Sequence, residues 1–142
     1  MLYIEGGENG IQRARVRVFK SRRFAKFARK ERISDAGLCK AVADAERGLI
    51  DADYGGGVIK QRIARPNEGK SGGYRSIILF RRGERSFFVY GFAKSEQSNI
   101  DDSDERDFKE LAGILLAASD EDLKKLLDRG EFAEVKCNEK GS

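Results

Sequence analysis

Four cations stand out for where they fall: Lys60, Arg62, Arg75 and Lys94. Each lies in or at the end of a strand-like run between Val58 and Lys94. Alternate residues of a strand share a face. Lys60 and Arg62 therefore share one, opposite Ile59 and Ile63. Arg75 shares a face with Ile77 and Leu79, and Lys94 with Tyr90 and Phe92. If these faces coincide, the four cations converge on one concavity, with Arg65 and Lys70 at its lip. Such a cluster binds successive phosphates and holds the charge that develops on phosphorus in a transition state. Tyr90 offers a face on which a base can stack, although strand aromatics more often belong to a core. Arg81 and Arg82, in the turn between the last two runs, extend the set of candidate phosphate contacts. An arginine in mid-strand beside a glycine turn needs a reason, which sets Arg62 and Arg75 apart from cations on a merely solvated face.

Other chemistry is excluded. Glu68-Gly69-Lys70-Ser71 ends like a phosphate loop, but that pattern needs a glycine five residues before Gly69, where the chain has Ala64. Gly55-Gly56-Gly57 lacks dinucleotide-loop spacing. With no histidine, no Ser/His/Asp or Cys/His set can form. Cys39 and Cys137 are too few for a four-ligand zinc site and read as free thiols in a reducing compartment.

The elements that must position the cations follow from periodicity. Val58 to Arg65, Tyr74 to Phe80 and Ser86 to Lys94 read as three strands joined by two hairpins, an antiparallel meander. Pro66 cannot donate to a ladder and ends the first of them. Upstream, Arg13 to Phe19 alternates apolar and arginine residues as a strand does. Ser21 to Glu31 carries Phe24, Phe27 and Ala28 at helical spacing. Ser34 or Asp35 caps a second helix with apolar positions Leu38, Val42, Ala45 and Leu49, and Gly48 lies near its end. Downstream, Asp101 to Ala118 reads as a helix, with Asp102 and Glu105 as a capping box. Ser119 opens another, which stops near Gly130, and Phe132 and Val135 dock the last segment. The expected organisation is a flexible leader over 1–12, a core over 13–100, an acidic helical segment over 101–137 packed on that core, and a loose end over 138–142.

Charge follows the same division. Residues 1–100 carry 21 Lys and Arg against 11 Asp and Glu, and residues 101–142 carry 7 against 13. A basic body beside an acidic tail suggests a polyanion partner for the body. The tail reads as a helical cap, with an internal cover for the cleft or a partner-like clamp as alternatives. No run reaches the ~18 apolar residues of a membrane span. Nor does the N-terminus show a basic-then-apolar signal. A cytoplasmic protein with no membrane partner is expected.

KQRIARPNEGKSGGYRSIILF followed by FFVYGFAKSEQSNI resembles the RelE/ParE toxin superfamily, in its HigB-like branch. The branch pattern is K-x-R-x-x-R-x-x-x-G-K-S/R-G-G-x-R on two strands, then an apolar strand ending in F-x-K-x-E. LLAASDEDLKKLLDRGEFAEV is similar to that branch as well, so the likeness runs from about Arg15 to Val135. It implies an α+β fold, RelE-like, with two N-terminal helices packed on a twisted, mainly antiparallel sheet, followed by C-terminal helices. It implies the toxin of a type II toxin–antitoxin pair, a metal-independent endoribonuclease that cuts mRNA on the ribosome. In such enzymes the 2′-hydroxyl attacks the adjacent phosphate, and lysines and arginines replace a histidine pair. By motif, Arg62 and Arg75 stabilise the phosphate, and Lys60 or Lys94 transfers protons, a task that needs a lowered lysine pKa. The chain departs from RelE itself at Ser95, where RelE has another arginine, and in SNIDDSD, which lacks the RelE tyrosine. No metal or organic cofactor is implied. The implied partner is an antitoxin, a helix-turn-helix DNA-binding protein through which alone operator DNA would be reached. Two rivals remain: a ParE-like toxin that binds its target without cutting, and an inactive remnant of the same fold.

Overall fold

The computed structural model describes residues 16–64 and 73–137. The leader, Arg65, Lys70, the hairpin loop around them and the last five residues lie outside the described residues.

Strand β1 (Arg17–Ser21) leads into helices α1 (Arg22–Glu31) and α2 (Asp35–Glu46). Strands β2 (Ala52–Gly55), β3 (Val58–Ile63), β4 (Tyr74–Arg81) and β5 (Arg85–Ala93) follow, then α3 (Asp102–Leu115), α4 (Asp120–Asp128) and β6 (Phe132–Val135). The strands form one sheet in the order β2-β3-β4-β5-β1-β6. All neighbours are antiparallel except β1 and β5. This is the α+β architecture expected.

Helix ends follow their capping residues. Ser21, Ser34, Asp101 and Ser119 each accept a hydrogen bond from the backbone N–H three residues on, satisfying a donor the helix leaves open. Helix α2 ends at Glu46 rather than reaching Leu49, which is 58% exposed. Two apolar layers result. Phe24, Ala28, Leu38, Val42 and Ala45 of α1 and α2 pack on Ile59, Ile63, Ile78 and Phe88. On the other face, Ala112, Leu115, Leu116 and Leu123 of α3 and α4 pack on Val58, Ile77, Leu79 and Phe87.

Two glycines allow close approach. A Cβ on Gly91 would sit 2.4 Å from the Phe27 ring, so only glycine lets α1 lie on β5. Gly57, at φ +85°, turns β2 into β3, and a Cβ there would meet Leu116 at 2.7 Å.

Three features were not foreseen. Strand β2 is short, at the sheet edge and half polar. Strand β6 pairs with β1 where only docking was expected. The cysteines are not free thiols: Cys39 of α2 and Cys137, just past β6, form a disulfide with Cα atoms 5.7 Å apart, within the ordinary range. Pairing of β6 with β1 carries the chain's end back to α2. The inference of a reducing compartment rested on free thiols and falls with them. Among the described residues, no helix is long and apolar enough to cross a membrane.

Strands β1 and β6 are also joined by charge. Arg17 donates from Nε and Nη2 to the two carboxylate oxygens of Glu134, at 3.0 and 2.9 Å. Those bonds, more than Arg17's charge, hold the Glu134 carboxyl below its ordinary pKa, against the opposing effect of burial. A lowered carboxylate pKa stabilises the fold above the ordinary carboxylate range, and the benefit disappears as pH falls through the lowered value. Glu134→Gln should therefore lower the urea midpoint at pH 7, with the gap to wild type closing in acid. A gap that persists unchanged at pH 3 would contradict this.

Candidate active site

The cations come together through strand register. In the β3–β4 pair Lys60 stands opposite Ile77, and Arg62 opposite Arg75. In the β4–β5 pair Arg75 stands opposite Phe92, and Ile77 opposite Tyr90. A β-bulge makes this possible. Ile78 pairs with Phe88 and Ile77 with Tyr90, so Val89 is an extra residue. The bulge turns Tyr90 and Phe92 to the face that carries Arg75, the re-aiming such bulges provide. Lys60, Arg62, Arg75 and Tyr90 thus share the α3 side of the sheet. Lys94, exposed, follows β5 at the same end.

Two guanidinium groups on directly opposed residues repel, and an acid meets one of them, together with Lys60. Asp51, just before β2, places Oδ2 3.1 Å from Arg75 Nε and 3.7 Å from Lys60 Nζ. The Lys60 ammonium also donates to the Ser98 carbonyl at 3.2 Å. Side-chain exposure is 12% for Arg75 and 14% for Lys60, so both are held rather than waving in solvent.

Asp51 is itself fixed from beneath. Gln61, 3% exposed, accepts from the Asp51 N–H and donates to the carbonyls of Ala41 and Leu49. A buried amide with its bonds made is a rigid anchor. It joins α2, β2 and β3 directly under the cations.

The segment 95–100 forms the far wall. Tyr90 Oη donates to Gln97 Oε1, and Gln97 Nε2 donates to the Asn99 carbonyl. Tyr54 Oη donates to Asn99 Oδ1. Burial first, then the negative charges of Glu105 and Asp51, raises the Tyr54 pKa, so this phenol keeps its proton at neutral pH. Across the rim, the Arg23 guanidinium of α1 lies 4.7 Å from the centre of the Tyr90 ring. One rim thereby carries a stacked cation and aromatic, a pairing suited to a nucleobase.

A family model for the RelE toxin of the RelE/RelB toxin–antitoxin system matches residues 16–135. The chain belongs to the RelE toxin family. No match was found among curated proteins. As a RelE toxin it is one half of a toxin–antitoxin pair, with an antitoxin as its partner.

Not every expected residue joins this cluster. Arg81 and Arg82 lie at the opposite end of β4, six positions from Arg75 or about 20 Å along the strand. Arg82 donates from Nε and Nη2 to the Glu46 carbonyl at the end of α2, and Arg81 pairs with Glu84. Their bonds are structural. Phe92 is core, at 3% exposure, while Tyr90 is half-buried at the site. Reasoning from the strands missed Asp51, Gln61, Gln97 and Arg23. The signal for Gln61 was available, since a glutamine on the apolar parity of β3 has to be bonded.

Proposed function

We propose that this RelE toxin is a ribosome-dependent mRNA endoribonuclease of the HigB-like branch. The observation that supports it best is the convergence of Lys60, Arg62, Arg75 and Tyr90 on one sheet face, with Lys94 at the same end. In this reading the 2′-oxygen of the message bonds to the adjacent phosphorus and the 5′-oxygen leaves. A 2′,3′-cyclic phosphate and a 5′-hydroxyl result. Arg62 and Arg75 carry the charge that develops on the phosphoryl oxygens. The Lys60 ammonium, already donating to Ser98 and beside Asp51, adds fixed positive charge. Lys94, exposed at the same end, gives a proton to the leaving 5′-oxygen, and the proton of the 2′-hydroxyl passes to water. Arg65 and Lys70 grip flanking phosphates, and Tyr90 with Arg23 stacks a base. The partner in this reading is a helix-turn-helix antitoxin that covers the cationic face and alone contacts operator DNA. The site of action is the cytoplasm, where ribosomes translate.

One observation favours a second reading. Lys60 and Arg75 are ion-paired to Asp51, which offsets charge that a phosphoryl transition state would use and which a toxin that binds its target without cutting can tolerate. Induction of the chain in cells lacking an antitoxin, with primer extension on a translated and an untranslated copy of one message, separates the two. New 5′ ends confined to the translated copy are expected. Growth arrest with intact message would establish the binding toxin instead.

A further inference from the structure

We infer that Asp51 is a positioning residue for Arg75, and through it for the scissile phosphate. The inference rests on the endoribonuclease reading. Asp51 meets the guanidinium at Nε, the nitrogen nearest the stem, at 3.1 Å. Nη1 lies 3.4 Å from the Tyr74 carbonyl, at the long end of hydrogen bonding. The carboxylate thus grips the root of the guanidinium fork, and its hydrogen bond takes neither nitrogen of the outer edge that forms paired bonds to a phosphate. A carboxylate that blocked the site would occupy that outer edge.

The anchoring of Asp51 supports the assignment. Its backbone N–H donates at 3.1 Å to Gln61 Oε1, and Gln61 is buried and bonded on both sides of its amide. The order of support runs from the α2 carbonyl of Ala41 through Gln61 and Asp51 to Arg75. Every link is a hydrogen bond of 3.0 or 3.1 Å. The acid also reaches Lys60 at 3.7 Å, so one group sets the spacing of two cations. A phosphate contact displaced by about 1 Å loses roughly 100-fold in rate, which makes such spacing consequential.

The test uses the full chain on ribosomes carrying a defined message. Single-turnover cleavage gives the rate. Affinity is read with a message whose target nucleotide lacks the 2′-hydroxyl. Asp51→Ala should cleave about 100-fold more slowly and bind the deoxy message as well as wild type or better, since a negative charge has gone. Asp51→Asn keeps an acceptor for Arg75 Nε and should recover most of the rate. In an Arg75→Ala background, Asp51→Ala should cause no further loss, because the two act as one unit. The ¹⁵N signal of the Arg75 Nε–H, assigned by its absence in Arg75→Ala, should lose its slow exchange in Asp51→Ala. Asp51→Ala cleaving at the wild-type rate or faster overturns the inference and leaves the nuclease reading standing. So do additive losses in the double variant, or equal losses of rate and affinity. A wild type that cuts no message removes both.

Discussion

Arg75→Ala should cut the single-turnover rate of message cleavage by roughly 100- to 1,000-fold, the usual effect of deleting one donor to a developing oxyanion. Arg75 stands opposite Arg62 in the β3–β4 pair and is held at Nε by Asp51. Among the described residues, its removal leaves Asp51 the ion pair with Lys60, at 3.7 Å. Some stability should be lost as well, and the comparison therefore needs unfolding curves beside the rates. Arg75→Lys should recover little, because an ammonium cannot present the two parallel N–H groups of a guanidinium. A folded Arg75→Ala protein that still cuts translated message within a few-fold of wild type would sink the assignment. Failure of the wild type to cut at all would instead move Arg75 to the binding face of a non-catalytic toxin.

The second large effect is on stability. The Cys39–Cys137 bond closes a segment with a sequence separation of 98. Restricting an unfolded chain by a loop of that length is worth about 4–5 kcal/mol when treated as lost chain entropy. Reduction, or Cys137→Ser, should therefore lower the thermal midpoint by roughly 10 °C or more for a chain of this size. Cys39 belongs to the α1–α2 layer, on the opposite side of the sheet from the cations. The cleavage rate per folded molecule should hardly change. Equal denaturant midpoints with and without reductant would show that the bond adds nothing. A rate that falls in step with reduction would tie the redox state to the site itself.

Much of the cationic face was legible because strand parity is a local rule. Lys60 and Arg62 had to share a face, as did Arg75 with Ile77 and Leu79. The coincidence of those faces is set by the β3–β4 register, and the place of Tyr90 beside them by the bulge at Val89, which no residue type announces. Helix starts were legible from Ser21, Ser34 and Ser119 because capping is chemistry within one turn. Long-range pairing was not. The two cysteines, nearly a hundred residues apart, meet only because β6 lies against β1, and nothing in FAEV signals that neighbour. Arg81 and Arg82 looked like site residues by nearness to the motif, yet a strand of eight residues separates its two ends widely. Asp51 was passed over because it lies between elements, where sequence offers no period to read.

The place of β1 also sets a timetable. Arg17 pairs alongside Arg85, and Val18 with Val135. Translation at roughly 5–20 residues per second puts β5 about 3–14 seconds behind β1. Through that interval the first strand has no ladder to join, and α1 has no β5 to lie on. Local hairpins such as β3–β4 can close within microseconds of emergence, but the layer that backs them waits for the last strands. The nascent chain thus cannot close its sheet around β1 until β5 and β6 have emerged, and the cationic face lacks its finished scaffold for those seconds.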